Sequence, residues 1–273
     1  MTRRALWAAA VLGSTMMAAT YQDEIAAWRK QREAGLQADG GWLSVAGLFW
    51  LHDGANTFGT DAANEIVLPD GPARAGAFEL RDGKVTVKMD GATRELWPDS
   101  ADLAKVGRLS LLVIQRGEKF GVRLKDPESQ YRREFHGIEA YATKEEYKVT
   151  AKWVAEASKI PILNVLGQTE EMQSPGYAVF RLQGNQYRLR PVLETPDAQE
   201  LFFIFRDQTS GKETYGAGRF LYSTMPQDGK VVLDFNKAYN PPCAFTPYAT
   251  CPLPPPENRL AVRVEAGEKK YGH

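Results

Sequence analysis

The most informative part of the chain for its fold is the stretch Tyr177-Ala-Val-Phe-Arg-Leu-Gln-Gly-Asn-Gln-Tyr-Arg-Leu-Arg-Pro-Val-Leu193. Apolar and polar residues alternate on both sides of Gln183-Gly184-Asn185, which is typical of two β-strands joined by a tight turn. The alternation directs one set of side chains toward a core, namely Phe180, Leu182, Tyr187 and Leu189. The charged set, Arg181, Arg188 and Arg190, falls on the opposite face. We therefore predict a β-hairpin with one buried face.

Short alternating runs extend this pattern over the rest of the chain. Turn signals at Arg81-Asp82-Gly83 and Arg116-Gly117-Glu118 each separate two such runs. A further strand is predicted at 260–264, whereas 168–176 is predicted to be a mobile loop. Strands at this spacing are typical of sandwiches and barrels. We predict a mainly β protein, with two packed β-sandwich or barrel-like halves and one N-terminal amphipathic helix.

The chain divides into four predicted segments. Residues 1–19 are an export signal, and 20–40 form the helix, in which Ile25, Trp28 and Leu36 share one stripe. An N-terminal β domain follows at 41–128 and a C-terminal β domain at 129–273. The boundary lies near the polar stretch Asp126-Pro-Glu-Ser129.

Composition excludes several classes of protein. Of the 273 residues, 43% are hydrophobic and 25% are charged, which is ordinary for a globular protein. Lys plus Arg equals Asp plus Glu at 34 each, so the basic surface expected of a nucleic-acid-binding protein is absent. Only three histidines are present. We predict no nucleic-acid partner, no metal and no cofactor.

The first nineteen residues have the order of a secretory signal. Arg3 and Arg4 precede an apolar run at 5–17, and the small residues Ala18 and Ala19 follow. The run is shorter than the roughly 20 apolar residues of a membrane span. We predict a periplasmic or secreted protein with no further transmembrane segment. The alternative is an uncleaved N-terminal anchor.

Export bears on the two cysteines of the chain. In an oxidising compartment, two cysteines as close in sequence as Cys243 and Cys251 are expected to form a disulfide. The alternative is a pair of metal thiolates, but a zinc site needs four ligands and no histidine lies near the pair.

Several long motifs resemble those of a bacterial family of domains of unknown function, family 1684. They include Asp234-Phe-Asn-Lys-Ala-Tyr-Asn-Pro-Pro-Cys243, Cys251-Pro-Leu-Pro-Pro-Pro-Glu-Asn-Arg-Leu260 and Trp42-Leu-Ser-Val-Ala-Gly-Leu-Phe-Trp-Leu51. The resemblance spans nearly the whole mature chain and implies no activity. Residues 56–80 are also similar in pattern to the opening of forkhead-associated domains. The residues with which those domains contact phosphate do not match here, so only the shape is implied.

A candidate ligand site lies at strand ends and in the proline-rich C-terminal loop. Its predicted members are Asp207, Tyr215, Arg219, Asp234, Asn236, Tyr239, Asn240, Glu257 and Asn258. In a structural interpretation, Arg219 pairs with Asp234 or Glu257 and the asparagines bind the loop backbone. In a functional interpretation, the same groups line a pocket with aromatic walls.

Two functions remain open at this point. The first is a non-catalytic exported protein that binds a small polar ligand or a cell-envelope partner at the C-terminal loop. The alternative is a hydrolase with Glu257 or Asp234 as acid/base and Arg219 stabilising anionic charge. The sequence predicts no oligomeric state.

Overall fold

The computed structural model describes residues 19–272, so the predicted export signal lies almost entirely outside the described residues. The described chain is mainly β, as predicted. Between residues 19 and 272 there are two α-helices, α1 (Tyr21–Gln37) and the single turn α2 (Gln130–Arg133). The strands are β1 (Val45–Trp50), β2 (Gly54–Gly59), β3 (Ile66–Val67), β4 (Gly76–Arg81), β5 (Lys84–Met89), β6 (Ala92–Leu96), β7 (Leu103–Val106), β8 (Leu109–Arg116), β9 (Lys119–Lys125), β10 (Lys148–Leu163), β11 (Thr169–Leu182), β12 (Asn185–Leu189), β13 (Glu200–Phe205), β14 (Arg219–Thr224) and β15 (Lys230–Asp234).

The first nine strands form two sheets around one core. One sheet has the order β1-β9-β8-β7 and the other β3-β2-β4-β5-β6. Phe58, Phe78, Val87, Leu111 and Val122 are fully buried in a single cluster to which both sheets contribute. Alternation along each strand turns these side chains inward, so burial of one face holds the two sheets together.

The remaining strands form the C-terminal half. β12-β11-β10-β15 make one sheet and β13-β14 a separate pair. Phe203, Phe205, Leu221, Leu233 and Phe235 are fully buried in the largest cluster of this half. β13 is apolar almost throughout because both of its faces are covered, and Phe202 on its other face joins a second cluster.

Helix α1 packs on the C-terminal half although it precedes the N-terminal one. Thr20 caps it by accepting from the Asp23 amide while Asp23 accepts from the Thr20 amide. Arg29 donates to the carbonyl of Tyr141, and Arg32 donates to the carbonyl of Asn240. The chain then passes into the N-terminal half at Ser44 and leaves it at Asp126, whose amide donates to the Ser44 carbonyl at 2.7 Å.

The predicted hairpins at 177–193, 77–89 and 109–124 are confirmed. β11 pairs with β12, β4 with β5, and β8 with β9, all antiparallel. Gln183 and Gly184 have φ of 50° and 82°, as the two centres of a type I′ turn require. The local signals were sufficient here because a two-residue turn and alternation together determine the pairing.

Two local predictions were wrong. Residues 169–176 belong to β11 rather than to a mobile loop: they pair with the end of β10 in a ribbon whose polar side chains are exposed, which hides the strand pattern. Residues 260–264 are not a strand. The Leu260 amide and the Val262 carbonyl bond to the backbone of Arg206 and Gln208, but the Val264 amide donates to the side chain of Asp207 and the Val264 carbonyl accepts from Arg219, which ends the pairing. Within residues 19–272, no helix is long and apolar enough to cross a membrane.

Candidate functional site

Arg219, at the start of β14, is fully enclosed. Its Nη1 donates to the carbonyl of Ala266, and its Nη2 donates to the Val264 carbonyl at 2.9 Å and to Asp207 Oδ1 at 3.4 Å. Its guanidinium carbon lies 5.3 Å from the centroid of the Phe205 ring. Burial lowers the pKa of Arg219, and the adjacent carboxylate of Asp207 opposes that effect. The partner is therefore Asp207 and not Asp234 or Glu257, so that part of the structural interpretation was wrong.

Asp207 has its own set of donors. Oδ1 accepts from Thr209 Oγ1 at 2.8 Å and from Ser210 Oγ at 3.2 Å, and Oδ2 accepts from the Val264 amide at 2.5 Å. The Arg219–Asp207 pair thus joins β14 to the loop after β13 and to the extended C-terminal segment. It stabilises that segment from inside the fold.

The three predicted asparagines bind loop backbone. Asn236 exchanges hydrogen bonds with both backbone groups of Lys144, and Asn240 donates to the Lys269 carbonyl. Asn258 accepts from the Arg190 amide at 2.8 Å and donates to the Arg190 carbonyl at 2.8 Å. These amides thus connect separate segments of the backbone, although Asn240 Oδ1 is buried and has no hydrogen-bond partner among residues 19–272.

The other predicted residues lie apart from Arg219. Glu257 is 3.3 Å from Arg190 Nε at its nearest oxygen, and Tyr215 donates to the Cys243 carbonyl at 3.0 Å. Asp234 and Tyr239 both line a cleft that is described below. The predicted set is therefore distributed over several places, and a ligand-binding role for it stays a prediction.

Cys243 and Cys251 are free thiols in the structure. The Cys243 amide donates to Cys251 Sγ at 3.2 Å, so the two residues are already neighbours. The hydrogen bond to Cys243 and burial together raise the pKa of the Cys251 thiol. The predicted disulfide is absent from this structure, in which the two sulfurs do not lie at disulfide distance.

A cleft that the sequence did not reveal lies where α1, the N-terminal half and the C-terminal loop meet. We call it the arginine cleft, and its volume is about 280 Å³. Its lining consists of Arg32, Trp42, Arg116, Glu194, Phe202, Phe220, Tyr222, Tyr239, Pro242, Thr250, Cys251 and Pro252. Aromatic walls with a few polar groups are the usual form of a small-molecule site.

Both arginines of this lining are held in place by other side chains of the protein. Arg116 donates from Nε to Thr250 Oγ1 at 2.9 Å and pairs with Asp99 at 2.9 Å, which links the two halves. Arg32 pairs with Glu268 at 3.3 Å, and its guanidinium carbon lies 4.5 Å from the centroid of the Tyr239 ring. Both side chains are thus oriented before any ligand arrives.

Arg123 of β9 does not line this cleft itself but contacts Trp42, which does, and it forms no salt bridge with any residue from 19 to 272. It is 8% exposed, and its guanidinium carbon is 4.8 Å from the centroid of the Trp42 ring. Its Nε and Nη2 are buried and have no hydrogen-bond partner among residues 19–272. Burial lowers the pKa of Arg123 to about 10, and the charge of Arg116 acts in the same direction. The guanidinium remains charged at neutral pH.

One signal in the sequence could have drawn attention to Arg123. Its neighbours Val122 and Leu124 face the core of the N-terminal half, so alternation places Arg123 on the outer face of that sheet. An outward arginine ordinarily lies in water. Only the tertiary structure shows that Arg123 is buried and that Trp42 packs against it.

A second cleft, which we call the Asp234 cleft, also touches Tyr222 and Tyr239 and has a volume of about 350 Å³. Its lining consists of Trp28, Lys148, Glu200, Tyr222, Ser223, Thr224, Val232, Asp234, Lys237 and Tyr239. A larger groove of about 500 Å³ runs past Arg108, but that arginine is already paired with Asp126 and Asp70. The part of the chain described here contains no cluster of three or more potential metal ligands.

Comparison with known proteins places the chain in a family without assigning an activity. No curated protein matches it. A solution NMR structure of an uncharacterized protein from Haloarcula marismortui is 30% identical, with 50% of this chain and 78% of that chain covered and a TM-score of 0.43. The family model described as "Protein of unknown function (DUF1684)" matches residues 133–269. The chain therefore belongs to the DUF1684 family.

Proposed function

We propose that this protein binds a small anionic ligand with a flat apolar part in the arginine cleft. The observation that carries the proposal is Arg123, a buried cation with two guanidinium nitrogens that have no partner among the described residues. An unpaired buried charge is costly, and such groups are paired or neutralised in most proteins. An anion in the adjacent cleft would supply the missing charge.

The surroundings favour an anion over other ligands. Arg32 and Arg116 line the cleft itself and carry the same sign of charge as Arg123. A guanidinium presents donors in a planar fork that matches a carboxylate or a phosphate. Phe202, Phe220 and Tyr239 offer flat apolar faces for the rest of the ligand. A cleft of about 280 Å³ suits a small molecule rather than a peptide.

The proposal retains the setting expected from the sequence. The cleft is bounded by Pro242, Thr250 and Cys251 of the C-terminal loop, where a ligand was expected. We further propose export to the periplasm or the medium, for which the order of residues 1–19 is the support. Intact mass of the protein recovered from the periplasm tests export: loss of about 19 residues is expected, and a full-length mass in the cytoplasm contradicts it.

Thermal shift and calorimetry test the ligand class. Phenyl phosphate and benzoate are the probes, and benzyl alcohol is the neutral comparison. We expect both anions to raise Tm and to bind wild type and the exposed-site control Arg181→Gln alike. Arg123→Met and Arg116→Gln should each weaken binding at least tenfold, since the first removes a positive charge next to the cleft and the second removes a charged donor from its lining.

Two results would refute the proposal. One is that neither anion binds more tightly than benzyl alcohol. The other is that Arg123→Met and Arg116→Gln bind the anions as well as wild type does. Added salt should weaken binding, because part of the affinity is Coulombic.

A further inference from the structure

The Asp234 cleft contains a carboxylate of which only one oxygen accepts hydrogen bonds from the described residues. Asp234 is 6% exposed. Its Oδ1 accepts from Tyr21 Oη at 2.7 Å and from the amide and side chain of Asn236, both at 3.2 Å. Its Oδ2 is buried but accepts no hydrogen bond from any residue between 19 and 272. A buried acceptor without a donor is costly, so this oxygen is suited to receive one from a ligand.

Aromatic rings form the apolar part of the same cleft. Trp28 of α1 and Tyr239 have ring centroids 6.4 Å apart at 53°. Tyr222 and Tyr239 are stacked at 16° with centroids 6.2 Å apart. The cleft thus offers flat apolar surface close to one strong acceptor. Such a combination fits a compact molecule that has both C–H faces and O–H donors.

The charges around the cleft favour a neutral ligand. Asp234 and Glu200 are opposed by Lys148 and Lys237, so the lining carries no net charge. Lys237 is held 2.6 Å from Glu24 and does not reach Asp234 as an ion-pair partner. A cationic ammonium ligand would be repelled by Lys148 and Lys237, and an anion would be repelled by Asp234 and Glu200. A hydroxyl donates to Oδ2 without either penalty.

We propose that the Asp234 cleft binds a neutral polyhydroxylated molecule of the size of a sugar ring. One hydroxyl donates to Asp234 Oδ2, and the C–H face of the ring packs on the aromatic side chains. The proposal is independent of the arginine cleft, because a different unpaired group carries it.

Saturation-transfer NMR and calorimetry on the full chain test it, with D-glucose, N-acetyl-D-glucosamine and myo-inositol as probes. Benzylamine is the cationic comparison and phenyl phosphate reports on the arginine cleft. We expect at least one of the three neutral probes to bind. Asp234→Asn should weaken that binding at least tenfold, since it removes a charged acceptor. Trp28→Ala should weaken it as well, and the exposed-site control Asp197→Asn should leave it unchanged.

The variants keep the result interpretable. Asp234 also accepts from the Asn236 amide, so circular dichroism and Tm establish that Asp234→Asn is folded. If it is not folded, Trp28→Ala decides, because Trp28 is only partly buried and caps no backbone group. Phenyl phosphate binding should be unaffected by Asp234→Asn, which separates the two clefts. Absence of binding by all three neutral probes, tighter binding of benzylamine, or binding indifferent to both substitutions would overturn the proposal.

Discussion

Arg123 and Arg219 are both buried arginines, yet replacing them with methionine should change stability in opposite directions. Arg123 has no hydrogen-bond partner for two of its nitrogens among the described residues, whereas Arg219 donates to Asp207 and two carbonyls. Arg123→Met removes a charge that folding leaves uncompensated. Arg219→Met strands acceptors that folding has already enclosed.

The pKa of Arg123 gives the size of the first effect. Lowering that pKa from its ordinary value to about 10 corresponds to roughly 3 kcal/mol lost by the charged form on folding. Because the folded pKa is depressed and still lies above neutrality, both states are protonated at pH 7 and the whole penalty applies. Loss of the contact with Trp42 offsets about 0.5–2 kcal/mol. Arg123→Met should therefore stabilise the ligand-free protein by about 1–3 kcal/mol.

For Arg219→Met we expect a loss of about 3–5 kcal/mol, the usual cost of removing one partner of a buried ion pair. Urea unfolding at pH 7, with Tm as a second readout, measures both variants against Arg181→Met, an exposed arginine that should change stability by no more than about 0.5 kcal/mol. Each kcal/mol should move Tm by about 2–4 °C in a chain of this size. The reasoning fails if Arg123→Met destabilises the protein as Arg219→Met does.

Three further predictions concern the loop and the C-terminal segment. Gly218→Ala should lower the free energy of unfolding by at least about 2 kcal/mol, because φ is +111° and a Cβ would lie 2.6 Å from the Phe205 carbonyl oxygen. Gly216→Ala is the matched control, since the nearest atom to its Cβ would be 3.6 Å away. Equal Tm values for the two variants would contradict the argument. A Cys243–Cys251 disulfide should form on oxidation and add roughly 2.5 kcal/mol to the free energy of unfolding. Thiol titration of the oxidised and then unfolded protein checks this. Two reactive sulfurs, as in a reduced control, would reject the disulfide. Burial raises the pKa of Glu268, although Arg32 and the Asn240 amide oppose that effect, so the folded state binds the proton more tightly than the unfolded state does. Wild type should therefore lose stability relative to Glu268→Gln as the pH rises above the ordinary pKa of glutamate. Urea unfolding across pH 4–8 checks the sign, and the opposite slope would mean that the ion pair with Arg32 dominates.

What could be predicted from the sequence was what local chemistry determines. The turn at Gln183-Gly184 and the alternation beside it specify a hairpin without reference to the rest of the chain. The partner of Arg219 was not accessible in this way, because Asp207 meets it only after β13 and β14 pair. The ribbon at 169–176 escaped notice because neither of its faces is fully buried, and alternation reports burial.

In the candidate site, too, the features that depend on tertiary packing could not be predicted from the sequence. The asparagines of the C-terminal loop bind backbone, but that of Lys144, Lys269 and Arg190, which are 92, 29 and 68 residues away in sequence. Neither cleft was foreseen as such. Arg116 and Arg123 lie on the two strands of one hairpin, but Arg32 comes from a helix remote in sequence, and only packing brings it close to them. Of the predicted set, Tyr239 lines both clefts, whereas Asp234 lines only the second.

The hydrogen bond between the Asp126 amide and the Ser44 carbonyl has a consequence for the modularity of the fold. It joins the points at which the chain enters and leaves the N-terminal β half, while α1 binds the C-terminal half on the far side of that passage. The first β half is thus an insertion within a host formed by α1 and the second. Segments whose ends lie side by side can be excised or exchanged without rerouting the host chain. A shorter relative would need only to connect α1 directly to the segment that follows Asp126.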